Sequence, residues 1–64
     1  MGIFDDLTKL VGKDIEIDGK NYHVGGGNNK TGLSGWFKQD NGNNLNQHIG
    51  MDKIEQLRRE EQNR

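Results

Sequence analysis

The chain lacks cysteine and alanine altogether. Without cysteine there is no disulfide to staple a small fold, no thiolate to ligate zinc and no thiol nucleophile. That composition fits a reducing compartment. Long apolar runs are missing too. No segment approaches the roughly 18 apolar residues needed to cross a bilayer. The first residues, Met1–Val11, carry Asp5 and Asp6 and do not resemble a signal peptide. A cytoplasmic protein with no membrane association is expected. Neither sign of charge dominates: nine basic and ten acidic side chains leave a net charge of −1. Such a balance exerts no overall pull on nucleic acid or anionic lipid, and is not that of an acidic DNA mimic.

Hydrophobic residues are also scarce, at 28% of 64. A chain of this length makes one small domain, residues 1–64, near the lower limit for folding unaided. About a dozen core side chains at 1.5–3 kcal/mol each have to offset roughly 1.5 kcal/mol of ordering cost per residue. Self-association is a reasonable way for such a chain to bury more surface. Disorder is rejected because the few apolar residues are strongly patterned.

Ile3, Phe4, Leu7, Leu10 and Val11 fall on one face of a helix over 3–11, with Gly12 as its stop. Residues 13–18 and 20–24 alternate as strands. Asp18-Gly19 between them suits a two-residue type I′ turn, which pairs Ile15 with Tyr22 and Asp14 with His23. The run Gly25–Gly32 has four glycines and no apolar residue, and reads as a mobile connection or binding loop. Strands follow at 33–39 and 44–50. A three-residue loop, Asn41–Asn43, places Leu33, Phe37, Leu45 and Ile49 on one face and pairs Phe37 with Gln47. A helix over 52–62 starts at the Asp52–Glu55 cap signal, with Met51, Ile54 and Leu57 on one face. Its i,i+4 pairs Glu55–Arg59 and Glu60–Arg64 lie on a solvated end. The fold class is therefore α+β: an N-terminal helix, a four-stranded antiparallel meander and a C-terminal helix. A strongly bent sheet would instead curl into a small SH3-like barrel, with Gly35 as the bend.

Trp36 is the residue singled out. If Phe37 faces inward, Trp36 faces outward, opposite His48 in that register, beside Lys38 and Asn46, with His23 on the same outer face. An exposed indole among hydrogen-bonding side chains suits stacking on a base or on a partner's side chain. The competing reading places Trp36 in the core. His23 and His48 match no metal-ligand spacing, so no metal site and no cofactor are expected. Lys30-Thr31 ends the glycine run like a phosphate loop, but Walker A requires Gly where Asn29 stands and a helix where a strand follows. The glycine-rich turn and Lys30 can still cradle an anion. Arg58, Arg59, Arg64 and Lys53 are interleaved with glutamates and read as a solvated face. Ser34 lacks a nucleophile-elbow context, and so small a chain encloses little volume for chemistry. An enzyme is not expected.

Two functions follow. The first is a small protein-binding or regulatory module, of the inhibitor kind, acting through its sheet face as a homo-oligomer. The alternative is a binder of nucleotides or single-stranded nucleic acid, with Trp36 stacking and the Gly25–Gly32 loop holding phosphate.

Overall fold

The computed structural model describes residues 2–63. A 3-10 helix, Leu7–Leu10, leads into four strands: β1 (Asp14–Ile17), β2 (Lys20–Asn28), β3 (Gly32–Lys38) and β4 (Asn44–Ile49). The helix α1 (Met51–Gln62) follows. The strands form one antiparallel sheet in the order β1-β2-β3-β4. The sheet is open, with β1 and β4 as its edges, so the barrel alternative does not hold. No helix among the described residues is long and apolar enough to cross a membrane.

The β1–β2 hairpin has the register that the turn dipeptide dictates. Asp14 faces His23 and Ile15 faces Tyr22. Asp18 (φ 53°) and Gly19 (φ 80°) both take the left-handed conformation that a type I′ turn requires. In the second hairpin the expected face is right and the register is not. Phe37 pairs with Leu45 instead of Gln47, a slide of two residues that leaves parity unchanged. The loop does hold three residues, but they are Asp40–Gly42. Gln39 N donates to Asn43 O at 2.9 Å, Gly42 N donates to Gln39 O at 3.0 Å, and Gly42 is left-handed at φ 87°. A glycine at the third loop position closes such a turn, and this is what fixes the register.

The glycine run is not a loop. Gly25–Asn28 continue β2, and only Asn29–Thr31 turn. Pairing steps from Val24–Gly35 to Gly26–Ser34, so Gly25 is the extra residue of a bulge. The turn is built by Asn28, whose Oδ1 accepts from Lys30 N and Thr31 N, each at 2.8 Å.

The N-terminal helix expected over 3–11 is a short 3-10 helix. Phe4, Leu7 and Leu10 are buried, whereas Ile3 and Val11 are exposed. A spacing of three keeps one stripe inward at three residues per turn, the 3-10 repeat. Asp6 caps it, accepting from Thr8 N at 3.2 Å and Thr8 Oγ1 at 2.7 Å.

The helix α1 begins at Met51, with Gly50 at its N-cap and no side-chain cap. Asp52 lies in its first turn. Ile54 and Leu57 are buried. Its far end is anchored rather than solvated: Glu61 accepts from Ile3 N (2.9 Å) and Phe4 N (3.4 Å), and Arg58 Nε donates to Phe4 O (2.7 Å). The Glu60–Arg64 pair and the contribution of Arg64 to a basic face lie outside the described residues.

One cluster forms the core. Ile17, Tyr22, Val24, Leu33 and Ile49 of the sheet's inner face meet Phe4, Leu7, Leu10, Ile54 and Leu57, with Ile15, Phe37 and Met51 at its margin. The Tyr22 hydroxyl donates past β3 to the Gln47 carbonyl oxygen at 2.7 Å, tying β2 to β4. Burial raises the pKa of Tyr22.

Candidate functional site: the outer face of the sheet

Both helices lie against the inner face of the sheet, and among the described residues no element covers the outer face. Alternation directs Asp14 of β1, Asn21 and His23 of β2, Ser34, Trp36 and Lys38 of β3, and Asn44, Asn46 and His48 of β4 to this side. Trp36 is half-buried and lies over the two central strands. Its register partners are His23 on one side and Asn46 on the other, so the expected Trp36–His48 pairing is corrected by the same two-residue slide.

The indole is held from two sides. His23 stacks on it, with ring centroids 4.5 Å apart and planes inclined by 26°. Next to it lies the bulge glycine: a methyl group on Gly25 would come within 3.2 Å of the Trp36 ring. His23 is itself fixed by Asp14, whose Oδ1 lies 2.6 Å from His23 Nδ1. A carboxylate only accepts, so Nδ1 carries the proton. The chain Asp14–His23–Trp36 thus runs across three strands and sets the attitude of the indole.

A second polar chain lies beside it. His48 Nε2 is 2.9 Å from Thr31 O and Nδ1 is 3.2 Å from Ser34 Oγ. The carbonyl accepts, so Nε2–H donates to it. In the neutral ring, Nδ1 then accepts from the Ser34 hydroxyl. This group stands on an exposed sheet surface, and its hydrogen bonds join the end of β4 to the start of β3. Open depressions flank Trp36. One of about 480 Å³ is lined by Gly25, Gly26, Ser34, Asn46 and His48, and one of about 290 Å³ by Asp14, His23, Lys38 and Asn44.

Of the residues expected at a site, Trp36, His23, Asn46, His48 and Lys38 share this face. Lys30 stands apart, in the turn after β2, where its backbone N–H is taken by Asn28. Ser34 shares the face as well, as alternation along β3 with Trp36 and Lys38 implies. Gly25 joins the site as the bulge residue beside the indole, a place the loop reading did not give it. The signal for Gly25 was present as a glycine run, which hid the bulge within it. No group of three or more His, Asp or Glu side chains that could hold a metal occurs among the described residues.

Comparison with known proteins adds no relative: no family model matches the chain, and neither a curated protein nor a solved structure is significantly similar to it.

Proposed function

We propose that the chain is a small non-enzymatic protein-binding or regulatory module, of the inhibitor kind, which docks its partner on the bare outer face of the sheet and works as a homo-oligomer. The observation that carries this reading is the placement of Trp36. A half-buried indole, pre-oriented by His23 and Gly25 and ringed by Asn44, Asn46, Ser34 and His48, has the anatomy of an interface hot spot. An aromatic anchor already held in one rotamer loses little further freedom on binding.

The stacked His23–Trp36 pair also favours a second reading, a nucleotide or single-stranded nucleic acid laid on the indole. Its phosphate subsite is weakened. The glycines of the expected loop are strand residues, and the Lys30 and Thr31 amides already donate to Asn28. Near-neutral charge supplies little of the phosphate neutralisation that such binding needs.

The test compares wild type with Trp36→Ala and with Lys9→Ala, a substitution in the N-terminal 3-10 helix. A partner recovered by affinity capture from the host should bind Trp36→Ala at least about 30-fold more weakly, and Lys9→Ala unchanged. Equal binding by all three overturns the protein-docking reading. Salt-sensitive retention of a single-stranded oligonucleotide that Trp36→Ala abolishes would put the second reading in its place.

A further inference from the structure

The two edges of the sheet differ. β1 is four residues long and carries the carboxylates of Asp14 and Glu16. Strand edges are commonly kept from pairing by shortness, charge, proline or bulges. β4 has none of these. Its six residues, Asn44–Ile49, include no charged side chain and no proline. Its pairing with β3 is unbroken, and five of the six are exposed.

The backbone of β4 is equally open. Gln39 N donates to Asn43 O across the loop. Antiparallel pairs alternate, so Leu45, Gln47 and Ile49 direct their N–H and C=O groups at β3, while Asn44, Asn46 and His48 direct theirs away from the sheet. The Tyr22 hydroxyl, arriving from β2, accordingly meets the carbonyl of Gln47. Side chains follow the other alternation. Leu45, Gln47 and Ile49 lie on the inner face, where Leu45 is 49% exposed over a groove that it shares with Phe37 and Lys53.

We infer that β4 pairs antiparallel with β4 of a second copy of this chain, about a two-fold axis through Gln47 and perpendicular to the sheet. Opposed residues in such a pair share a face, so the axis must pass through a residue and not between two. Centred on Gln47, Asn46 of one copy lies opposite His48 of the other, and their outward N–H and C=O groups bond reciprocally. Half-exposed Leu45 lies opposite Ile49, and Gln47 lies opposite itself. A centre on Asn46 would set Leu45 against the Gln47 amide instead. No charged side chain of either β4 meets its like. The joined sheet carries both Trp36 side chains on one surface. Two copies of the proposed docking face then point the same way, which converts a weak single contact into a bivalent one. Only this last consequence rests on the proposed function.

Sedimentation or light scattering of the purified chain, with no partner added, tests the pairing. Wild type should be dimeric. Gln47→Lys and Gln47→Glu, each bringing like charges together on the axis, should weaken the dimer at least about tenfold with an unchanged circular dichroism spectrum, and mixing the two should restore it. The chain has no native cysteine, so Gln47→Cys should cross-link on mild oxidation. Asn44→Cys, which that register sets opposite Gly50 of the other copy, should not. A wild-type chain that stays monomeric at about 1 mM overturns the inference. A dimer indifferent to both charge variants overturns it too, as does cross-linking of Asn44→Cys as fast as that of Gln47→Cys. Loss of partner binding by a dimer that persists would instead count against the docking face alone.

Discussion

His23 and Trp36 stack across the β2–β3 ladder at 4.5 Å, and the imidazole is itself pinned by Asp14 at 2.6 Å. The attitude of the indole therefore depends on a carboxylate two strands away. His23→Ala should free the ring. In acrylamide quenching of the single tryptophan, the Stern–Volmer constant should rise for His23→Ala and, by a smaller amount, for Asp14→Ala. Global stability should change by no more than about 1 kcal/mol, because both partners lie on the solvent side of the sheet.

Tyr22 predicts an alkaline limit to stability. Burial raises its folded pKa above the ordinary 10.0. The neutral phenol is thus the form that the fold accommodates. Its contribution is fully present below pH 10 and is lost as pH rises toward the folded pKa, because the unfolded chain ionises first. Tyr22→Phe removes the hydrogen bond to Gln47 O and should cost about 1 kcal/mol at neutral pH. The same variant should flatten the fall in melting temperature above pH 10, which a thermal-melt series would read.

Asn29 joins two distant parts of the chain. Its Oδ1 accepts from Leu7 N at 2.8 Å and its Nδ2 donates to Asp6 Oδ1 at 3.1 Å. The Thr8 hydroxyl first, and Asn29 second, hold the Asp6 carboxyl below its ordinary pKa of 3.8. The stabilisation tied to that carboxylate is present above pH 3.8 and is lost as pH falls through the folded value. Asn29→Ala should raise the Asp6 titration midpoint toward 3.8 in carboxyl-detected NMR. It should also destabilise the fold by about 1–2 kcal/mol, since the part-buried Leu7 amide loses its acceptor.

Two glycines of the sheet should respond oppositely to alanine. A methyl group on Gly35 would collide with the carbonyl oxygen of His23, whereas one on Gly26 meets nothing within 4 Å. Gly35→Ala should cost more than about 3 kcal/mol or prevent folding, because backbone has to move. Gly26→Ala should be neutral or stabilising by up to about 1 kcal/mol, through the lower entropy of the unfolded chain. Paired urea titrations would show the contrast.

The N-terminal segment depends on two side chains of α1. Arg58→Ala removes the hydrogen bond to Phe4 O, and Glu61→Ala removes those from Ile3 N and Phe4 N. Each should lower stability by about 1–2 kcal/mol. In hydrogen exchange, the Ile3 and Phe4 amides should lose protection in Glu61→Ala while those of β2 and β3 keep theirs.

Sequence alone carried the first hairpin through to its register, because Asp18-Gly19 admits one tight turn and Ile15, Ile17, Tyr22 and Val24 demand one face. The second hairpin was readable to its parity and loop length only. Asn41-Gly42 marks a turn without saying that Gly42 is its third residue, and a slide of two residues costs nothing in the hydrophobic pattern. That slide changed the neighbour of Trp36 from His48 to Asn46. The glycine run misled because composition cannot tell a bulged strand from a loop: Gly25–Asn28 owe their extended form to β3 beside them. Phe4, Leu7 and Leu10 satisfy a period of 3.0 as well as one of 3.6, so their helix type was set by what they pack on. Arg58 and Glu61 read as solvated charges because their acceptors and donors are backbone groups more than 50 residues away, which leave no trace in side-chain spacing.

The acidic, four-residue margin formed by β1 has a consequence for assembly. If two chains join through their neutral strands, the enlarged molecule is bounded on both flanks by Asp14 and Glu16, and a third chain arriving there meets carboxylates instead of a receptive ladder. Growth along the hydrogen-bonding direction then terminates at a pair, so a protein rich in glycine and asparagine can offer a sticky flank without seeding a filament.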